Sequence, residues 1–204
     1  REVLGKDFKT IAQVVPMVEK AKAHGLAPKG VDDVQGLIPD TMESWLFMVQ
    51  QYGLELPTLA YQREKMIDTA RLILTRSVKD RERIDFDDQL YMTVIYGITM
   101  PQFNRVFVDE AQDLSAIQLE MVKRLKSEAC NTQFVFVGDR SQAIYGFRGA
   151  DAKSMDRIAS EFQAKELPLS ITYRCPRKVV AIAQRYDPTI QAADWAPDGV
   201  VEHK

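Results

Sequence analysis

Two short apolar runs, each ending in an acid, do most to decide what this chain can fold into. Arg105-Val106-Phe107-Val108 leads straight into Asp109-Glu110, and Gln133-Phe134-Val135-Phe136-Val137 leads into Gly138-Asp139. A helical pattern from about Ala116 to Lys126 lies between them. Strand, helix, strand with so little chain to spare is the signature of a parallel βαβ unit, and it places the molecule in the α/β class. The strand before Asp109 then delivers two neighbouring carboxylates at its carboxyl end, where open α/β sheets bind ligands.

The chain before this unit reads as helices. Phe8, Ile11, Val14, Val15 and Val18 recur at helical spacing until Gly25 stops the pattern. Asp40 with Glu43 three residues later has the form of a capping box for a helix ending near Gly53. Thr58 is the expected cap of another, which carries Met66, Ile67, Ala70 and Leu74 on one face. Asp85-Phe86-Asp87-Asp88 precedes a short amphipathic helix. Past the βαβ unit, Leu167 to Thr172 reads as a third strand and Pro176 stands at a plausible first helical position. After Tyr186, Asp187-Pro188 and Ala196-Pro197-Asp198-Gly199 predict loops. The resulting division is a helical segment over residues 1–82, a sheet segment over 83–165 and a third segment over 166–204.

Composition narrows the function classes. Across 204 residues, 46% hydrophobic and 27% charged is the balance of a folded protein with a core. The formal charge of −2 carries no global basic signal, so any contact with nucleic acid must come from a local groove. Cys130 and Cys175 have neither metal-ligand spacing nor a disulfide framework, which points to reduced thiols in the cytoplasm. No run of about 18 apolar residues is present that would span a membrane. The opening Arg1-Glu2-Val3 and the ending Glu202-His203-Lys204 lead us to expect a piece of a longer protein.

Three constellations carry chemistry. In the first, Asp109 and Glu110 supply two jobs that nucleotide hydrolysis needs, holding Mg²⁺ and polarising the attacking water. Ser115 and Gln118, three apart, have the spacing of a capping box and are read as helix initiation. In the second, Val137-Gly138-Asp139-Arg140-Ser141-Gln142-Ala143-Ile144-Tyr145-Gly146-Phe147-Arg148 joins a strand and a glycine turn to a carboxamide, two aromatics and a cation. A carboxamide both donates and accepts, and aromatic faces stack on any base. The third is Leu167-Pro168-Leu169-Ser170-Ile171-Thr172-Tyr173-Arg174-Cys175-Pro176.

Asp109-Glu110-Ala111-Gln112-Asp113 after four apolar residues resembles the Walker B element, motif II, of the UvrD/Rep-like superfamily 1 DNA helicases. The second and third constellations resemble motifs III and IV of the same family, and the three stand in the family's order. The resemblance covers roughly residues 80–186. It implies a parallel-sheet, P-loop NTPase-like (RecA-like) motor segment with an N-terminal helical insertion, using ATP and Mg²⁺ to move along single-stranded DNA and open duplex DNA. Asp109 would hold the metal, Glu110 would activate water, and Gln142 would sense the terminal phosphate. Tyr145 and Phe147 would form a platform for DNA bases, with Arg148 adding a phosphate contact. Tyr173 would stack on adenine and Arg174 would reach the terminal phosphate across an interdomain cleft.

Some positions depart from the family pattern. Phe147 stands where many members have tryptophan, Arg140 and Ser141 where acids are frequent, and Thr172 where asparagine is commoner. The phosphate loop Gly-x-x-x-x-Gly-Lys-Ser/Thr has no match, since Gly5-Lys6-Asp7 lacks both the leading glycine and the hydroxyl. The chain alone is therefore expected to be inactive. Two other functions stay open at this point: a nucleotide-gated DNA-binding or scaffolding protein without unwinding, and the helicase part of a helicase-nuclease.

Overall fold

The computed structural model describes residues 8–31, 36–127, 129, 131–142 and 154–202. The chain divides into two compact units, Arg1–Gln163 and Ala164–Lys204.

The first unit begins with four helices: α1 (Phe8–His24), α2 (Met42–Gln51), α3 (Ala60–Lys79) and α4 (Phe86–Ile95). Their buried faces meet in one core of Val14, Met17 and Val18 from α1, Trp45 and Met48 from α2, Ile67, Ala70 and Leu74 from α3, and Tyr91 and Val94 from α4. Burying one such large apolar side chain contributes about 1.5–3 kcal/mol, so packing outweighs the loss of one helical hydrogen bond at Pro16 inside α1. The α1 stripe is rotated from its expected position: Val15 is exposed, and Met17 and Ala21 take the inner face. Gly25 stops the helix with φ at +77°, a left-handed conformation that costs glycine little.

Two helix starts differ from expectation. Thr41, not Asp40, caps α2, its hydroxyl accepting from Ser44 N at 3.1 Å. Asp40 is occupied elsewhere, accepting from Trp45 Nε1 at 2.7 Å and Arg71 Nε at 2.8 Å. Leu59 precedes α3 with no side-chain cap, so Thr58 does not serve there. Asp85 and Asp88 do form a reciprocal capping box on α4, and Lys22 Nζ lies 2.7 Å from a carboxylate oxygen of each.

The βαβ unit is present. Strands β1 (Arg105–Val108) and β2 (Gln133–Phe136) run parallel, with Val106 opposite Phe134 and Val108 opposite Phe136. Between them α5 (Ala116–Lys123) starts on the predicted Ser115–Gln118 capping box and stops three residues early, because Lys126 bridges to Phe103. Helix α6 (Ser154–Glu161) packs behind the strand ends, where Ile158, Leu119 and Ala111 are buried with Phe136 and Phe162 against them.

The second unit repeats the pattern in miniature. Strand β3 (Ile171–Thr172) pairs in parallel with β4 (Gln191–Ala192), and α7 (Arg177–Ala183) connects them. The third strand is thus shorter than Leu167–Thr172, and the tail after Tyr186 contributes a short strand between the two stretches expected to be loops. Gln191 N donates to Ser170 O at 2.7 Å and Ala193 N to Thr172 O at 3.2 Å, bonds that two residues supply without any apolar run to announce them. Pro176 is the residue before α7 rather than its first residue. The molecule is accordingly a mixed helix and strand protein with small parallel sheets.

Candidate functional site

The carboxyl ends of β1 and β2 are stitched together past the last paired residues. Val137 N donates to Val108 O at 2.8 Å, and Ala111 N returns a bond to Val137 O at 2.9 Å. Between these bonds the chain turns through Asp109 and Glu110, and Glu110 takes φ of +50°. A non-glycine residue in this region is uncommon and persists only where its surroundings hold it. Here the holding groups are visible: Asp109 Oδ1 accepts from Glu110 N at 3.0 Å, and a tight 3-10 turn over Ala111–Asp113 follows at once.

Gln112, which the sequence reading passed over, joins the two strand-end loops. The residue is only 2% exposed. Its amide Nε2 donates to Glu110 Oε2 at 2.7 Å, while its Oε1 accepts from Asp139 N at 3.1 Å. Its backbone carbonyl accepts from Ser154 Oγ at 2.7 Å, tying the loop to α6. Gly138 leaves the room this arrangement needs, since a Cβ there would fall 2.6 Å from Gln112 Oε1.

Asp139 organises the second loop. Its Oδ1 accepts from Ser141 N at 2.9 Å and its Oδ2 from Gln142 Nε2 at 2.8 Å. Arg140 turns outward to Asp156, 3.0 Å away on α6. A chain of hydrogen bonds therefore runs from Glu110 through Gln112 and Asp139 to Gln142, and links two residues singled out from sequence.

Asp109, Glu110, Asp139 and Gln142 are exposed at this sheet edge. Among the described residues no group of three or more His, Cys, Asp or Glu side chains is placed to cage a metal ion. That donor set suits Mg²⁺, which keeps several waters and takes one or two carboxylates together with substrate phosphates. Asp109 is exposed and its Oδ1 accepts from Glu110 N, while Glu110 is exposed with its Oε2 engaged by Gln112.

Tyr145, Phe147 and Arg148 lie outside the described residues. Tyr173 and Arg174 follow β3 in the second unit, and both are exposed. The Tyr173 ring stands 6.3 Å from that of Trp195, which is also exposed. Arg174 N donates to Thr172 Oγ1 at 3.4 Å.

The family described as the UvrD/REP helicase N-terminal domain matches residues 7–163. The chain is 30% identical to the ATP-dependent DNA helicase srs2 of Schizosaccharomyces pombe over 171 residues, which is 81% of this chain and 18% of that protein. It is 34% identical to a probable DNA helicase II homolog of Mycoplasma pneumoniae over 131 residues, 59% of this chain and 18% of the relative. Against the ATP-dependent DNA helicase PcrA of Staphylococcus epidermidis it is 30% identical over 128 residues, 58% of this chain and 17% of the relative. The matched region thus spans under a fifth of each of these relatives.

Proposed function

The chain belongs to the UvrD/Rep helicase family, and from that premise we propose that it forms part of an ATP-dependent motor that travels on single-stranded DNA and separates duplex DNA. The observation that carries this reading is the pair of acids at the carboxyl end of β1, connected by hydrogen bonds through the buried Gln112 to the loop that bears Gln142. In a RecA-like motor this edge faces the nucleotide. Asp109 would hold Mg²⁺, which when bound would neutralise charge on the terminal phosphate. Glu110 accepts the proton of the attacking water. Gln142 reads the terminal phosphate, and its link to Asp139 transmits that reading to the segment carrying Tyr145, Phe147 and Arg148, the proposed grip on DNA. Tyr173 stacks on adenine and Arg174 meets the charge that grows on the phosphoryl group. Action on DNA would keep the parent protein inside the cell, with its substrate.

The division into a helical insertion (residues 1–82), a first motor segment (83–165) and the start of a second (166–204) is part of the same proposal. Among the described residues no helix is long and apolar enough to cross a membrane.

The test uses the full-length protein: phosphate release with and without single-stranded DNA, beside strand displacement on a partial duplex. Both activities, dependent on ATP and Mg²⁺, are expected. Nucleotide binding without displacement would favour a nucleotide-gated scaffold, and absence of DNA-stimulated turnover would overturn the motor reading.

A further inference from the structure

We propose that Gln112 is a positioning residue that holds Glu110 in its working orientation and makes that orientation depend on the second loop. The inference rests on the reading of Glu110 as the group that accepts the proton from water. Glu110 is exposed and sits in a left-handed backbone conformation that persists only where its surroundings hold it. Gln112 Nε2, donating to Glu110 Oε2 at 2.7 Å, sets the direction of the carboxylate.

A carboxamide suits this position because its two ends differ. The NH₂ end must donate, since Glu110 offers a carboxylate, and the oxygen end must accept, since Asp139 offers a backbone N–H. Being buried, the amide cannot exchange either partner for water without loss. Asp139 in turn holds Gln142. A displacement of the Gln142 loop that shifts Asp139 N therefore pulls on the oxygen end of Gln112, and through the same planar amide on Glu110. Gly138 keeps the loops close enough for one side chain to span them. The water-activating acid and the phosphate-sensing amide are in this way one mechanical unit.

Gln112→Glu in the full-length protein separates the two ends. The carboxylate still accepts from Asp139 N, so the loop contact survives, but it sets an acceptor against the Glu110 carboxylate and repels it. A misplacement of this size costs about 10- to 100-fold in kcat, with ADP affinity expected within a few-fold of the parent. Gln112→Met, which loses both bonds, supplies the second arm: in a Glu110→Gln background it should lower kcat by less than about two-fold further, because groups acting through one another are not additive. Gln112→Glu turnover close to the parent would overturn the proposal. So would an equal loss from Gln112→Met with and without the Glu110 substitution, which would mark a role in folding only. If Glu110→Gln itself leaves turnover unchanged, it is the assignment of Glu110 that fails.

Discussion

Gly138→Ala probes the closeness of the two strand-end loops. A Cβ at this position would stand 2.6 Å from Gln112 Oε1, 3.0 Å from Met155 Sδ and 3.1 Å from Gln112 N. Ordinary van der Waals contact begins at 3.4 Å, so the nearest approach is about 0.8 Å too short. Met155 ends in a flexible thioether and can swing aside. Gln112 is held at both ends and by its own carbonyl, so it moves only by giving up a bond to Glu110 or Asp139. Overpacking costs about 1–3 kcal/mol and an unsatisfied buried amide about the same. The two overlap, because breaking the bond relieves the clash, and we expect a net loss of about 2–4 kcal/mol. Equilibrium urea unfolding of the chain measures it, as a midpoint lowered by about 1–2 M for a slope near 2 kcal/mol/M. Removing the obstructing side chain should give part of this back: Gly138→Ala with Gln112→Ala should be more stable than the summed single effects by over about 1 kcal/mol. A Gly138→Ala chain within about 0.5 kcal/mol of the parent, a change typical of an ordinary surface site, would refute the close-packed link.

Lys22→Met should destabilise the chain by about 3–5 kcal/mol in the same assay, since it strands Asp88, whose side chain is 3% exposed, without its cation. It should also flatten the acid limb of stability: burial pushes the Asp85 carboxyl up, but hydrogen bonds from Lys22 and Asp88 N outweigh this and hold it below its usual range. A folded-state value below the unfolded one adds stability above the unfolded value that disappears as pH falls through the folded one, and unfolding midpoints measured downward from neutral pH should show the difference. In the full-length protein, Arg174→Lys and Arg174→Ala should both cut turnover by about 10³-fold, since a lysine keeps the charge but not the fork, while ADP affinity measured by titration stays near that of the parent. Phe147→Ala should weaken single-stranded DNA binding by about 1–3 kcal/mol in a fluorescence titration and spare ATP binding.

What was legible in the sequence is what depends on local pattern. Val106 and Val108 with Phe134 and Phe136 announced two strands, and the crossover helix between them left parallel pairing as the outcome. Ser115 with Gln118, and Met66 with Ile67, Ala70 and Leu74, were readable because their partners lie within one or two helical turns. The misreadings arise where distant residues compete. Asp40 and Thr41 are both good caps, and Thr41 serves because Trp45 and Arg71 claim the Asp40 carboxylate. Strand β4 is two residues long and owes its existence to backbone bonds with β3, so no side-chain pattern marks it. At the site, Asp109, Glu110 and Gln142 were found as members of motifs. Gln112 was passed over as a letter within one, because its meaning lies in a partner 27 positions away.

The account turns on Glu110, and Glu110→Gln in the full-length protein tests it most directly when nucleotide binding and DNA-stimulated phosphate release are measured on the same preparation. A carboxamide keeps the shape and the contact site of the side chain but cannot take a proton from water. Binding should remain within a few-fold of the parent while turnover falls by about 100-fold or more, the range that positioned general bases contribute. Turnover equal to the parent would contradict the account and return Asp109 and Glu110 to the status of loop acids.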